Sequence, residues 1–359
     1  MVVEGVRQLQ PYQGGKPIEE LERELGIRNI VKLASNENPL GASPRALEAI
    51  NQQMKNIARY PDGSGFSLKS AIAGHLSVKA DQVSLGNGSN EILELLARLF
   101  LQPGLNAVMS QHAFIVYPLA VTALNAEVRQ TPAINFGHDL DAMLAAIDSK
   151  TRMVFIANPN NPTGTWLNHQ AINAFMDRVP ENVIVVIDEA YFEYVSETGF
   201  ASALSLLDSY PNLVVTRTFS KAYGLAGLRV GYSVSSREIA ELLNRIREPF
   251  NINSLALCAA EAALSDISFL EKSRQLNDAG MRQLERGAAE RGLDFIPSIG
   301  NFICIRFPGD VNDLYRQLLC KGVIVRPIGV YGLNEHLRVS VGLEEENSKF
   351  LSAVSELMA

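Results

Sequence analysis

Cysteine is scarce in this chain: Cys258, Cys304 and Cys320 are three residues in 359, odd in number and widely spaced among apolar neighbours. That excludes a disulfide framework and is the pattern expected of reduced core thiols in a cytoplasmic protein. Histidine is scarce too, with five residues and no His-Glu-x-x-His or comparable ligand spacing, so no metal site is expected. His112 alone lies close to a candidate site element, and it reads as structural. No apolar stretch approaches a membrane span, and the start Met1-Val2-Val3-Glu4-Gly5 lacks the basic and apolar regions of an export signal. A cytoplasmic location without a membrane partner is therefore expected. Positive charge is in deficit, 32 Lys and Arg against 39 Asp and Glu for a net charge of −7, which leaves no basic face for nucleic acid. Also missing are Gly-x-Gly-x-x-Gly, the Gly-Lys-Ser/Thr ending of a P-loop, low-complexity tracts and fixed-period repeats, so dinucleotide and P-loop chemistry are unsupported. Apolar residues, at 47% of the chain, are enough for a large core and two domains.

Lys221 is the most informative residue present. It follows a hydroxyl-rich strand end, Thr216-Arg217-Thr218-Phe219-Ser220, and precedes Ala222-Tyr223-Gly224-Leu225-Ala226-Gly227-Leu228-Arg229. An amine set between hydroxyls and a guanidinium is what pyridoxal 5'-phosphate requires, the amine for its aldehyde and the others for its phosphate. Alone, Ser220-Lys221 would be a solvated surface pair. Three further elements change that reading. Asn182-Val183-Ile184-Val185-Val186-Ile187 runs without polar alternation into Asp188-Glu189-Ala190-Tyr191, as a buried parallel strand does. Ligands of open α/β sheets lie beyond the carboxyl ends of such strands, which makes Asp188 and Tyr191 candidates for the cofactor site, where Asp188 would sit against the pyridine nitrogen and Tyr191 would donate to the ring oxygen. A strand at Thr151–Ala157 runs into the rigid turn Asn158-Pro159-Asn160-Asn161-Pro162-Thr163-Gly164, from which Asn161 can reach the same oxygen. Leu85-Gly86-Asn87-Gly88-Ser89-Asn90-Glu91 opens a helix expected at Ile92–Leu101, and free N–H groups at such a start attract an anion. Each segment also has a bland use, as an N-cap or an ordinary loop.

Together with Pro11-Tyr12-Gln13-Gly14-Gly15-Lys16-Pro17, the segment Lys32 to Gly41 (KLASNENPLG), Arg59-Tyr60-Pro61-Asp62 and the stretch His336 to Gly342 (HLRVSVG), these motifs resemble those of the fold-type I pyridoxal-phosphate aminotransferases, and within them the histidinol-phosphate branch. The resemblance implies Lys221 as the Schiff-base lysine and proton shuttle, Asp188 as partner of the pyridine nitrogen, and Tyr191 with Asn161 as partners of the ring oxygen. It implies a phosphate cup of Ser89, Asn90, Thr218, Ser220 and Arg229, with Tyr60 reaching in from the second subunit of a homodimer. Phe114 falls where many relatives stack a tyrosine on the ring, so stacking survives and the hydroxyl's hydrogen bond does not. Arg338 matches the position that grips the substrate's anionic end, and Tyr12 and Arg326 match positions around the substrate phosphate. Gly14 departs from the proline common in the first motif.

The implied reaction is transamination between histidinol phosphate and 2-oxoglutarate, giving imidazole acetol phosphate and glutamate in histidine biosynthesis. An arginine fork can serve both substrates, since it pairs with carboxylate or phosphate. Aromatic amino-acid transamination competes, because an imidazole pocket also accepts flat rings. So does decarboxylation of a phosphorylated amino acid on the same fold. A regulator built on this fold would need an added basic domain. The expected fold class is α/β, with apolar strands alternating with helical patterns from Tyr60 to Asn244 in a doubly wound, mostly parallel sheet. The expected large cofactor-binding domain is 50–248. A smaller α+β domain, formed by 1–49 with its N-terminal arm and by 249–359, carries short strands near Phe302–Phe307, Val323–Ile328 and Leu337–Val341.

Overall fold

The computed structural model describes residues 2, 4–11 and 14–358. Its large sheet has seven strands in the order Val83–Gly86, Gly231–Ser235, Leu213–Thr218, Ile184–Asp188, Thr151–Ala157, Asn106–Ser110, Glu127–Thr131. The last five in that order run parallel, and Gly231–Ser235 is antiparallel to both of its neighbours. Two apolar cores explain why the central strands show no polar alternation. Val154, Ile156, Val185 and Ile187 feed one core, while Met153, Phe155, Val186 and Val214 feed the other. Successive side chains point to opposite faces, and both faces are covered. Truncating one such side chain, as in Ile187→Ala, should cost about 2–5 kcal/mol.

The small sheet is antiparallel, in the order Phe295–Ile296, Phe302–Arg306, His336–Ser340, Arg326–Pro327. The helices Ile267–Ala289 and Glu344–Met358 cover it, burying Leu284, Ala288, Phe350 and Val354 against Ile303, Ile305, Leu337 and Val339. The single strand expected at Val323–Ile328 is two. Val323–Ile324 pairs in parallel with Val31–Lys32, whereas Arg326–Pro327 joins the small sheet. The run serves two neighbours that are remote in sequence, so its local pattern could not reveal the break.

The helix Pro44–Gln53 is capped by Ser43, whose side chain accepts from the Ala46 amide, and Ser254–Leu264 is capped likewise by Asn253. Both pack on the large sheet's core through Ala46, Ala256, Ala259 and Ala260. All three cysteines are free thiols. Cys304 is buried and Cys258 half-buried, but Cys320 is exposed at the end of the helix Val311–Cys320, which corrects the expectation that it is a core residue. Its apolar neighbours turn inward on the helical period while it turns out. Among the described residues, no helix is long and apolar enough to cross a membrane.

Candidate active site

A cavity of about 250 Å³ opens beyond the carboxyl ends of the parallel strands and is closed from above by the small sheet. Its walls bring together Ser89, Asn90, Phe114, Asn161, Asp188, Tyr191, Thr218, Ser220, Lys221, Arg229, Arg326 and Arg338. Tyr60 is elsewhere: it is 83% exposed and stacks on Phe250 with ring centroids 4.7 Å apart. Tyr12 lies outside the described residues. His112 does not line the cavity; its Nδ1 sits 2.6 Å from the Tyr331 carbonyl oxygen.

Register builds the floor. Asp188 pairs with Ala157 on one side and Thr216 on the other. Its carboxylate, 4% exposed, accepts from Tyr117 Oη at 2.8 Å and Thr216 Oγ1 at 3.1 Å. Burial pushes the Asp188 carboxyl up from the usual carboxylate range, and those two hydrogen bonds oppose it. The next residue, Glu189, points to the far side, where Arg217 pairs with it at 2.8 Å and both are buried. Neither Tyr117 nor Thr216 stood out in the sequence as a site residue. The signal available for Thr216 was its place two residues before Thr218 on a strand, on the same face.

Lys221 is delivered by a tight loop. Gly224, at φ +71°, lies so close to Gly41 that a Cβ there would sit 1.9 Å from its carbonyl oxygen, so glycine is required. Asn38 Nδ2 donates to the Ala222 carbonyl at 2.8 Å and fixes the same loop. Lys221 Nζ donates to the Ser35 carbonyl at 3.0 Å and stands 5.7 Å from the centre of the Tyr191 ring. Its pKa is lowered to about 7, first by burial and then by the Arg338 and Arg229 guanidiniums, against the opposing pull of Glu37 and Asp188. An amine with that pKa is substantially neutral near pH 7.

One end of the cavity is an anion cup. The helix Ser89–Phe100 starts at Ser89, earlier than expected, after Gly88 at φ +75° and ψ 162°, and no side chain caps it. A Cβ on Gly88 would sit 2.4 Å from Arg229 Nη2, so the missing side chain is what lets the guanidinium lie against the helix start. Arg229 Nη1 donates to Ser220 Oγ at 3.3 Å, and the Ser220 amide donates to Thr218 Oγ1 at 3.1 Å. Positive helix ends, hydroxyls and a guanidinium form a ready site for a phosphate.

The roof holds a second positive group. Arg326 and Arg338 are cross-strand partners in the small sheet, and both line the cavity. Like charges directly opposite are destabilising in a sheet, so an anion between them would offset that cost. Arg338, 7% exposed, donates from Nη1 to Asn161 Oδ1 at 2.6 Å and from Nη2 to the Ala34 carbonyl at 2.8 Å, while its buried Nε has no protein partner. Tyr191 Oη accepts from Asn161 Nδ2 at 3.1 Å and from Asn36 Nδ2 at 2.9 Å. Burial holds that phenol up at about 12.

The family model for aminotransferase class I and II matches residues 28–354. The chain belongs to that family. Histidinol-phosphate aminotransferase 2 of Pseudomonas fluorescens (strain Pf0-1) is 58% identical to this aminotransferase over 357 residues, covering 99% of the chain and 96% of that protein. Histidinol-phosphate aminotransferase 2 of Pseudomonas aeruginosa is 58% identical over 357 residues, 99% of this chain and 97% of its own. Among solved structures, histidinol-phosphate aminotransferase from Sinorhizobium meliloti, in complex with pyridoxal-5'-phosphate, superposes with a TM-score of 0.92. It is 30% identical and covers 99% of this chain and 96% of that one. The aminotransferase has the fold of the fold-type I enzymes, with its cavity where the parallel strands end.

Proposed function

We propose that this chain transfers the amino group of histidinol phosphate to 2-oxoglutarate with pyridoxal 5'-phosphate as cofactor, yielding imidazole acetol phosphate and glutamate in histidine biosynthesis. The observation that carries the reading is one cavity holding a near-neutral lysine, a buried carboxylate, an anion cup and a pair of facing arginines. The 58% identity to a histidinol-phosphate aminotransferase over nearly the whole chain supports the substrate.

The donor set fits the cofactor, since the Gly88 cradle admits Arg229 only because no Cβ fills it and the cup's groups all suit a phosphate. Ser89, Asn90, Thr218, Ser220 and Arg229 would hold the phosphate, Asp188 the pyridine nitrogen, Asn161 and Tyr191 the ring oxygen, Phe114 a ring face and Lys221 the aldehyde. When bound, the cofactor supplies an electron sink for the pair left at the donor's α-carbon. Lys221 Nζ, neutral in its buried setting, would take the donor's α-proton and hold it for return on the cofactor side of the shared nitrogen. Asp188 would face the pyridine nitrogen from the cavity floor, where an ionised carboxylate favours a protonated ring nitrogen. Arg338 grips the anionic end that the substrates present, phosphate in histidinol phosphate or carboxylate in glutamate, and Arg326, its cross-strand partner, stands beside it at the phosphate. Tyr12 belongs to the same phosphate end in this reading.

A homodimer is part of the proposal. Tyr60 and Phe250 stand exposed on a face that also carries Ile57, and Tyr60 would complete the phosphate cup of the partner subunit. So is a division into two lobes that meet at the cavity, with chain boundaries near 50 and 249, although the helices Pro44–Gln53 and Ser254–Leu264 pack on the large sheet's core. A cytoplasmic location fits such a biosynthetic role.

The test is glutamate formation from 2-oxoglutarate with histidinol phosphate or phenylalanine as donor, in wild type and in Lys221→Ala. Turnover of histidinol phosphate that vanishes in the variant is expected. Preference for phenylalanine would move the enzyme to aromatic amino acids, and carbon dioxide release without glutamate would make it a decarboxylase.

A further inference from the structure

The hydroxyl of Tyr191 is surrounded by amide groups whose orientation can be worked out. Asn161 Oδ1 accepts from Arg338 Nη1, and a guanidinium offers only donors, so the NH₂ of Asn161 must face Tyr191. Asn36 comes from the opposite side. The Asn36 backbone N–H donates to Ser340 Oγ at 2.8 Å, the Ser340 hydroxyl donates to Asn36 Oδ1 at 2.9 Å, and the Asn36 NH₂ is left to face Tyr191. Tyr191 Oη therefore accepts two N–H bonds. With both lone pairs in use, its own proton has one direction remaining, into the cavity that Tyr191, Asn36 and Asn161 all line.

We propose that Asn36 is a positioning residue that fixes Tyr191 as a hydrogen-bond donor toward the cofactor's ring oxygen, by filling the second acceptor site of the hydroxyl. This rests on the reading that the cavity takes pyridoxal 5'-phosphate.

Asparagine suits the position on two counts. Asn36 has φ +55°, a left-handed conformation that asparagine tolerates better than most side chains. It is also 1% exposed, so an unpaired amide there would be costly, and each of its groups has a partner, Asn301 Nδ2 donating to its carbonyl at 3.0 Å. The segment is anchored to the small-sheet side. The Leu33 amide donates to the Ile324 carbonyl at 2.7 Å, and the Ser340 amide donates to the Leu33 carbonyl at 2.9 Å. Asn36 thus carries a hydrogen bond from that side to the end of a large-sheet strand. The charged or titratable groups facing Tyr191 are Arg338, Asp188, Tyr331 and Lys221. An aspartate in place of Asn36 would present only acceptors when ionised and would draw the Tyr191 proton onto itself.

The experiment is a pH titration of the bound cofactor's visible absorption in wild type, Tyr191→Phe, Asn36→Asp, Ser340→Ala and the double variant Asn36→Asp/Tyr191→Phe. A donor at the ring oxygen draws negative charge off it, so the bound chromophore loses its proton at lower pH; removing the donor raises the midpoint. Tyr191→Phe and Asn36→Asp should each raise it by about one pH unit, a tenfold change in the proton equilibrium. Ser340→Ala should raise it less. The double variant should match Tyr191→Phe alone, because both changes remove one interaction. A shift with Tyr191→Phe but none with Asn36→Asp and Ser340→Ala would overturn the inference, as would a double variant shifted by the sum. If Asn36→Asp does not fold, Ser340→Ala decides. No shift in Tyr191→Phe would mean that Tyr191 is not the donor, which also overturns it. A wild type that develops no visible band with pyridoxal phosphate would instead defeat the cofactor reading itself, and the inference with it.

Discussion

At the floor of the cavity Asp188 is buried, set by strand register and held by Tyr117 and Thr216, whereas at the mouth Glu37 is an exposed side chain paired with Lys32 at 3.0 Å and Arg326 is half-buried. Floor groups sit where parallel strands end, so their positions follow from the packing of the whole sheet. Mouth groups ride on the short Arg326–Pro327 strand and the segment after Val31–Lys32. Groups that tune the cofactor's electronics need fixed geometry, and those that meet two different substrates need room to adjust. Floor variants should therefore lose rate, and roof or mouth variants should lose affinity.

The largest effect should come from the floor. Asp188→Asn loses the charge and keeps an acceptor for only one of Tyr117 and Thr216, which donate to different carboxylate oxygens, and kcat should fall by about a hundred- to a thousandfold with little change in KM, read by steady-state kinetics on both substrates. Arg338→Lys should do the reverse. It exchanges a fork for a point charge, and KM for 2-oxoglutarate should rise about 10- to 100-fold while kcat changes much less. An equal fall in kcat would remove the contrast between floor and roof.

The cup sharpens the comparison from a third side. Gly88 occupies a backbone region that is open in effect only to glycine, so Gly88→Ala should cost about 1–3 kcal/mol and displace Arg229. Thermal unfolding should register that loss, and equilibrium dialysis should register weaker retention of the cofactor. The smallest effect concerns Lys221, whose neutral amine is the form that can attack an aldehyde. Because its pKa is lowered to about 7, capture of pyridoxal phosphate by the cofactor-free protein should rise about tenfold per pH unit below that point and level off above it. Glu37 favours the charged amine, so Glu37→Gln should shift the midpoint down by a fraction of a unit, and Arg338→Met should shift it up. Stopped-flow mixing across pH reads both.

Asp188 and Asn161 are legible in the sequence because each stands at or just after the end of a strand recognisable by its apolar run, and Lys221 because it follows a strand end rich in hydroxyls; ligands gather at such ends. Their neighbours are less legible for a physical reason. Asn36 meets Tyr191 across 155 residues and Tyr117 meets Asp188 across 71, and nothing local in either stretch records the meeting. Asn36 lies in the segment Lys32 to Gly41, whose local pattern does not single out this side chain. The break in the 323–328 run and the outward turn of Cys320 are of the same kind, decided by partners elsewhere in the chain.

Borohydride reduction of the protein in the presence of pyridoxal phosphate, followed by peptide mapping, tests most directly the claim that this cavity is the cofactor site. The account predicts a single labelled peptide carrying the adduct on Lys221, with labelling lost in Lys221→Ala. Label spread over surface lysines, or retained in that variant, would contradict it.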